Sequence, residues 1–311
     1  MRSISLDQIK SARAHIDPIF LNTPCLRRTS LDELVGCEIG LKVECLNPIR
    51  SFKGRGVDWF VGQHPGETEL LCASAGNFGQ ALAYCGRERN ARVVVFAAEN
   101  ANPDKISAME RLGAEVTLFG ADFDAAKRAA RDYALANGVP LIEDGAIVEI
   151  AEGAGTIALE LLEQFEAPEV VYVPLGNGAL LGGIACVLQK VSGTTCVVGV
   201  TATNAPAMKQ SFDSDCLIVS KQADTIADGI AVREPVEYAL EQLRGRLERV
   251  VAINDDEILE AMRVCKRHLG LIVEPAGAIG LAAMMRESDR LRGRRVATVL
   301  CGSNVDPRLS F

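Results

Sequence analysis

Residues 93–119, VVVFAAENANPDKISAMERLGAEVTLF, form the segment that best defines the fold. A valine-rich apolar run opens the segment, and a second short apolar run closes it. Between them, Pro103 marks the start of a helix and Gly113 marks its end before the second strand. A strand, a helix and a strand of these lengths predict a compact βαβ unit with parallel strands.

The same alternation continues along most of the chain. Short apolar runs predict buried strands at residues 70–73, 92–97, 115–119, 170–174, 196–200 and 296–301. Amphipathic segments predict helices at residues 78–89, 103–112, 122–136, 147–165 and 255–268. The pattern predicts an α/β fold whose parallel sheets are covered by helices, with ligands beyond the carboxyl ends of the strands.

The length of 311 residues predicts two lobes, each with its own core. No linker or internal repeat marks a boundary, but residues 141–155 fit a return from one lobe to the other. We predict a large lobe of residues 1–50 and 146–311 and a small lobe of residues 51–145. Each lobe is expected to hold an open, mostly parallel sheet flanked by helices.

Composition and charge exclude several functional classes. The formal net charge is −8 and no extended basic cluster is present, so we expect no nucleic-acid partner. No apolar run approaches the roughly 20 residues that span a bilayer, so we expect no membrane segment. The N-terminal residues lack the apolar core of a signal peptide, which predicts a cytoplasmic protein.

Cysteine and histidine usage point the same way. The ten cysteines are scattered singly without a C-x-x-C pair, which favours free thiols in a reducing cytoplasm. The three histidines, His15, His64 and His268, lie far apart in sequence, so we expect no zinc site.

Lys53 lies in Ser51-Phe52-Lys53-Gly54-Arg55-Gly56. An amine that attacks a carbonyl must be uncharged, which requires a desolvated and shaped pocket. An aromatic residue before the lysine and small residues after it suit a lysine pressed against a flat ring. Taken alone, the hexapeptide also fits an ordinary surface loop.

Two glycine-containing loops follow predicted strands and open predicted helices. Residues 74–80, SAGNFGQ, leave backbone N–H groups free for a carboxylate, although a simple helix-capping turn fits as well. Residues 174–183, PLGNGALLGG, suit a nest of amides around one phosphate, although close helix–sheet packing is the alternative. This second loop matches neither a P-loop nor a dinucleotide fingerprint.

A third loop, residues 300–306 (LCGSNVD), ends the last apolar strand with a thiol and a hydroxyl. On its own it is only a turn. A pocket lysine, a phosphate nest, a carboxylate-binding turn and a neutral polar strand end together match pyridoxal phosphate and an amino acid, with the lysine holding the cofactor as a Schiff base.

With this lysine and these three loops, the chain resembles a known family. It is similar to the fold-type II, tryptophan synthase β-like, pyridoxal-phosphate-dependent enzymes, and within them to the serine/threonine dehydratase and serine racemase branch. The matching strings occur in the family's order along nearly the whole chain, at residues 51–56, 74–80, 176–183, 227–232, 273–278 and 301–306. The resemblance places the cofactor in the cleft between the lobes, with its main binding surface on the large lobe and the lysine and asparagine loop on the small one.

The resemblance implies a role for each matching residue. Lys53 forms the Schiff base and then removes the α-proton, while Phe52 packs on the cofactor ring. Asn77 binds the 3′ oxygen of the ring, and Cys301 faces the pyridine nitrogen. The substrate carboxylate is bound by the backbone amides of Ser74, Ala75, Gly76, Asn77 and Phe78, and the phosphate by Gly176, Asn177, Gly178, Ala179 and Leu180.

Several departures from the family pattern narrow the expected reaction. Ala75 stands where racemases carry a second serine that acts as base on the opposite ring face, so racemisation is disfavoured. Phe78 replaces a histidine common in dehydratases, which admits a larger or more apolar substrate. Thr201 and Ala207 replace the racemase group's metal-binding carboxylates, so we expect no such metal site. Cys301 is a neutral partner for the ring nitrogen, which favours elimination.

Three further charged residues fit structural roles better than catalytic ones. Glu274, before Pro275, fits a helix cap or a supporting contact, and Asp228, before Gly229, fits a turn. Arg55 is expected to form an ion pair or to support the fold near the cofactor.

The resemblance implies a lyase that converts a β-hydroxy amino acid such as L-threonine or L-serine to a 2-oxo acid and ammonia. A β-replacement enzyme of the cysteine synthase or threonine synthase type is the alternative. A serine racemase and a non-catalytic relative are less favoured. A homodimer is usual among such relatives.

Overall fold

The computed structural model describes residues 2–311 and contains two sheets. The strands are β1 (Cys25–Leu26), β2 (Glu38–Val43), β3 (Glu69–Ala73), β4 (Arg92–Ala97), β5 (Glu115–Leu118), β6 (Val170–Pro174), β7 (Cys196–Ala202), β8 (Arg249–Ile253) and β9 (Arg295–Leu300). The helices are α1 (Leu6–His15), α2 (Leu31–Val35), α3 (Lys53–Gln63), α4 (Asn77–Arg87), α5 (Pro103–Arg111), α6 (Phe123–Asn137), α7 (Val148–Gln164), α8 (Ala179–Val187), α9 (Ala207–Ser214), α10 (Glu237–Leu243), α11 (Asp255–Val264), α12 (Pro275–Arg286) and α13 (Ser288–Leu291).

The larger sheet has six strands in the order β1-β2-β9-β6-β7-β8. Only the β1–β2 pair is antiparallel; every other neighbouring pair is parallel. Strands β6 and β9 lie at its centre and are apolar along most of their length, as expected for a parallel sheet that helices cover on both faces. The predicted α/β architecture is therefore confirmed.

The smaller sheet contains β3, β4 and β5, all parallel. Its β4–α5–β5 segment is the predicted βαβ unit. Pro103 occupies the first turn of α5, and the Asn102 side chain caps that helix by accepting a hydrogen bond from the Asp104 N–H at 2.9 Å. Gly113 has a φ of +96°, which ends the helix before β5 as the sequence predicted.

Helix α7 is packed tightly between α3 and α8. A Cβ at Gly153 would lie 2.6 Å from the Gly56 Cα, and a Cβ at Gly183 would lie 2.1 Å from the Ala151 carbonyl oxygen. Only glycine allows the backbones to approach this closely. Because α3 begins at Lys53 and α8 begins at the predicted phosphate loop, this packing fixes the distance between the two.

The prediction missed three strands, β1, β2 and β8. Strand β2 contains Gly40 and a fully buried Lys42, which interrupt the apolar run by which buried strands are predicted. The helix predicted at residues 255–268 is α11, continued by one π-helical turn at Cys265–Leu269. The boundaries of the two lobes stay a prediction, although β1 and β2 pair within the larger sheet.

None of the helices in residues 2–311 combines the length and apolar composition that crossing a bilayer requires. All ten cysteines are free thiols in this structure.

Candidate active site

A cavity of about 490 Å³ opens where the carboxyl ends of the two sheets face each other. Every residue predicted to contact cofactor or substrate lines it: Phe52, Lys53, Ser74, Ala75, Gly76, Asn77, Phe78, Gly176, Asn177, Gly178, Ala179, Leu180 and Cys301. The fold therefore brings together loops that are up to 249 residues apart in sequence, counted from Phe52 to Cys301.

Lys53 is the first residue of α3 and projects between two aromatic rings. Its Nζ lies 4.8 Å from the centre of the Phe52 ring and 5.9 Å from that of Phe78. The Phe52 N–H donates to the Cys301 carbonyl oxygen at 3.0 Å, which ties the start of α3 to the end of β9. The amine is thus held in a mostly buried position with its side chain 13% exposed.

Asp144 is a cavity residue that no sequence motif indicated. Its carboxylate forms an ion pair with the Lys53 ammonium, and its Oδ1 atom is buried without a hydrogen-bond partner among residues 2–311. The Asn177 side-chain amide donates to the Asp144 Oδ2 atom at 3.4 Å. The residue was missed because residues 141–155 were interpreted only as a connection between lobes.

The loop before α8 is built to hold an anion. Gly178 has a φ of +90°, and a Cβ at Gly176 would lie 3.0 Å from the Gly229 carbonyl oxygen, so both positions favour glycine. Within residues 2–311, no acceptor satisfies the backbone N–H groups of residues 176–180. Free amides at the start of a nine-residue helix fit a phosphate group.

The loop before α4 has fewer free amides than the sequence predicted. The Ser74 N–H donates to the Phe96 carbonyl oxygen at 3.0 Å, which extends the smaller sheet. The Gly76 N–H donates to the Ser74 Oγ atom at 3.2 Å. The groups left for a carboxylate are the N–H groups of Ala75, Asn77 and Phe78. The Ser74 and Gly76 amides, also expected to bind the carboxylate, already have acceptors within the fold.

Glu274 is a central part of the site, although its sequence context favoured a peripheral role. It precedes α12, but its side chain makes no capping bond. Instead, its Oε1 atom accepts from the Asn77 Nδ2 atom at 2.7 Å, and its Oε2 atom accepts from the Asn304 N–H at 3.0 Å. Burial and the nearby Asp228 carboxylate raise the pKa of Glu274 to about 7.

Comparison with known proteins decides the family. A family model described as pyridoxal-phosphate dependent enzyme matches residues 16–302. The chain belongs to this family of pyridoxal-phosphate-dependent enzymes. Pyridoxal phosphate is therefore its cofactor, and the free amides of the phosphate loop fit the phosphate group of that cofactor.

Individual relatives agree with this assignment. An L-threonine ammonia-lyase of Thermotoga maritima is 32% identical over 307 residues, which are 97% of this chain and 76% of that protein. A catabolic L-threonine dehydratase of Staphylococcus aureus is 29% identical over 310 residues, 97% of this chain and 90% of that protein. These relatives place the chain among the lyases of the family.

Solved structures show the same fold. A threonine deaminase from T.th. superimposes with a TM-score of 0.92 at 31% identity, covering 99% of this chain and 100% of that one. Maize serine racemase also gives a TM-score of 0.92, at 25% identity, covering 98% of this chain and 95% of that one. The chain is thus similar to a deaminase and to a racemase, and the shared fold does not distinguish their two reactions.

Cys301 is a neutral group of this pyridoxal-phosphate-dependent enzyme. The residue is 4% exposed, and burial raises the pKa of its thiol well above the ordinary value. The Sγ atom donates to the Ala276 carbonyl oxygen at 3.6 Å. A thiol that is both buried and protonated provides no negative charge to the cavity.

Arg55 forms a buried ion-pair cluster near Lys53. It is fully buried two residues after Lys53, as the predicted ion-pair or scaffold residue should be. Its guanidinium contacts the Glu44 carboxylate at 2.8 Å and the Glu160 carboxylate at 2.7 Å. Lys42 completes the cluster through its own 2.6 Å contact with Glu160. Two cations and two anions therefore balance beneath α3.

Proposed function

We propose that this enzyme removes the β-hydroxyl group and the amino group of a β-hydroxy amino acid such as L-threonine or L-serine, releasing a 2-oxo acid and ammonia. The observation that carries the proposal is the set of cavity residues around Lys53, in which Ala75 provides no second base and Cys301 provides no carboxylate. The names of the similar ammonia-lyase and dehydratases support the same reaction.

Different residues of the chain would bind the cofactor, bind the substrate and accept the proton. Lys53 would hold the cofactor covalently and then, as a free amine, accept the α-proton of the substrate. The amides of residues 176–180 would bind the cofactor phosphate, and the free N–H groups of Ala75, Asn77 and Phe78 would bind the substrate carboxylate. When bound, pyridoxal phosphate withdraws electrons from the substrate's α-carbon, which makes that proton removable.

Two neutral side chains favour elimination over the alternatives. Ala75 has a methyl group where racemisation would need a base on the opposite side of the substrate. Cys301 is protonated, so it offers the ring nitrogen a neutral partner, and departure of a β-substituent becomes easier than a long-lived carbanion. Racemisation is the second candidate because maize serine racemase has the same fold at 25% identity. A β-replacement reaction, which was the first alternative from the sequence, becomes the third candidate.

We also propose a cytoplasmic homodimer without a divalent metal at the racemase position. The free thiols suit a reducing compartment. Thr201 is buried and donates its hydroxyl to the Ala205 carbonyl oxygen at 3.1 Å, and neither it nor Ala207 carries a carboxylate. Light scattering of the purified protein tests the dimer, and a chelator that leaves activity unchanged supports the absence of such a metal.

The test of function is turnover with a panel of β-hydroxy amino acids. The cofactor-loaded protein is incubated with each one, and both 2-oxo acid and ammonia are measured. We expect equal amounts of the two products with at least one substrate and none with the Lys53→Ala variant. Sulfide-dependent product from an O-acyl serine, without turnover of any hydroxy amino acid, would refute the proposal. Borohydride reduction followed by peptide mapping should find the cofactor on Lys53.

A further inference from the structure

The side-chain amide of Asn77 is held at both of its polar atoms. Its Nδ2 atom donates to the Glu274 Oε1 atom at 2.7 Å. Its Oδ1 atom accepts from the Asn304 Nδ2 atom at 2.7 Å. Asn77 lies at the start of α4 and lines the cofactor cavity, whereas its two partners come from the start of α12 and from the segment after β9.

These contacts allow only one orientation of the amide. If the Asn77 oxygen and nitrogen exchanged places, the oxygen would face the Glu274 carboxylate and the nitrogen would face the Asn304 amide nitrogen. An acceptor would then meet an acceptor, and a donor would meet a donor. The observed orientation uses one of the two N–H bonds on Nδ2, so the second N–H is left as a donor at the cavity wall.

The two partners are themselves fixed. Glu274 is 3% exposed, its backbone N–H donates to the Gly302 carbonyl oxygen at 2.9 Å, and its Oε2 atom accepts from the Asn304 N–H at 3.0 Å. The Asn304 Nδ2 atom also donates to the Ile49 carbonyl oxygen at 2.9 Å. A Cβ at Gly302 would lie 2.2 Å from the Glu274 Oε1 atom. The absence of a side chain at Gly302 therefore leaves room for the Glu274 carboxylate.

We propose that Glu274 and Asn304 are positioning residues that orient the Asn77 amide so that one N–H points at the cofactor. This inference rests on the cofactor site of the proposed function but not on which reaction that site catalyses. Neither residue needs to touch the substrate. Their effect passes through Asn77, and it should therefore be visible in the bound cofactor before any substrate is added.

The variants Asn304→Ala and Glu274→Gln separate this role from a general loss of structure. Asn304→Ala removes the donor that fixes the Asn77 oxygen. Glu274→Gln keeps the shape but replaces one acceptor oxygen with a donor nitrogen, so one of two hydrogen-bond donors must lose its partner. Asn137→Ala and Glu260→Gln are matched controls, because both residues lie outside the cavity, Asn137 at an exposed helix position and Glu260 with its side chain 45% exposed.

The measurements are made on the cofactor-loaded protein without substrate. We expect both variants to shift the visible absorption of the bound cofactor or its pH dependence, and to weaken cofactor binding by about tenfold, as loss of one well-placed hydrogen bond implies. The controls should match the wild type. Wild-type spectra and wild-type cofactor dissociation constants in both variants would overturn the proposal.

A double-mutant cycle shows whether the effect passes through Asn77. In the Asn77→Ala background, Asn304→Ala should cause no further change in the spectrum or in cofactor affinity. If Asn304→Ala changed the spectrum and the affinity in that background as much as it does in the wild-type background, Asn304 would act independently of Asn77, which contradicts the proposal. If Asn304→Ala does not fold, Asn304→Ser enters the same cycle, because its shorter side chain also cannot hold the Asn77 oxygen.

The outcomes also separate this inference from the proposed function. Suppose that the wild-type enzyme eliminates no hydroxy amino acid, but that Asn304→Ala alters the bound cofactor only when Asn77 is present. That result would refute the proposed function and leave the positioning role intact. A protein that eliminates normally and shows no effect of Asn304→Ala or Glu274→Gln on the cofactor would do the reverse.

Discussion

Arg55 supplies the sharpest stability prediction, through the variant Arg55→Met. The wild-type side chain is fully buried, and its five N–H groups make six hydrogen-bond contacts, one of them shared, with Thr23, Glu44, Thr156 and Glu160. Methionine has a similar length but neither charge nor donors. The variant therefore leaves the Glu44 and Glu160 carboxylates buried with Lys42 as their single cationic partner, a net charge of −1.

The expected size of the effect follows from this imbalance. Removing one partner of a buried ion pair typically costs about 3–5 kcal/mol, because the remaining charge is left uncompensated in the interior. We expect Arg55→Met to lower the free energy of unfolding by that amount. Adding Glu44→Gln restores charge balance, so the double variant should be more stable than Arg55→Met alone by at least about 1 kcal/mol.

Equilibrium urea unfolding of the cofactor-loaded protein measures these differences. The slope of the transition should stay unchanged while its midpoint falls. Arg244→Met is the control, because that guanidinium is 45% exposed and pairs with the exposed Asp215, and its midpoint should stay near the wild-type value. An Arg55→Met midpoint equal to that of the control would refute the reasoning.

Two further predictions concern Glu160 and Cys301. Burial alone would raise the pKa of Glu160, but Arg55 and Lys42 lower it to about 2 from an ordinary 4.5, so this group stabilises the fold above pH 4.5 and the contribution is lost as the pH falls toward 2. As the pH falls through that range, the urea midpoint should fall less steeply in Glu160→Gln than in the wild type. The same dependence of the midpoint on pH in both proteins would contradict this. For Cys301, replacement by serine should largely preserve elimination, whereas aspartate should impair it by charging the ring nitrogen's partner; unchanged kcat with aspartate would exclude that role.

The sequence located the site well where local patterns carry the information. Glycines and small polar residues after apolar runs indicate loops at the ends of parallel strands, and such loops meet at one edge of a sheet. These patterns placed the Asn77 and Cys301 loops at strand ends, whereas Lys53 follows no predicted strand, and the family resemblance grouped all three residues around one cofactor. The βαβ unit around Pro103 followed from equally local signals.

What the sequence could not reveal depends on packing between distant segments. Lys42 can lie buried in the larger sheet because Glu160, 118 residues later, compensates its charge. Asp144 has no motif, and only the fold brings its carboxylate to Lys53. Glu274 matches a helix cap in sequence, yet its side chain turns toward Asn77, 197 residues away, because Gly302 leaves room for it.

The charges around the cavity bear on how it could bind two anionic groups, the cofactor phosphate and the substrate carboxylate. The cavity is lined by seven acidic side chains, Asp144 and Glu274 among them, and by only four cationic ones, so net charge alone would not attract the cofactor phosphate and the substrate carboxylate. In the proposed site, oriented backbone amides, which carry no net charge and lie at helix starts, would bind both anions. Because such amides act only over short distances, they select the position of an anion rather than merely its sign. A site of this kind could hold two anionic groups beside its own carboxylates without using Lys53 as the counter-ion of either one.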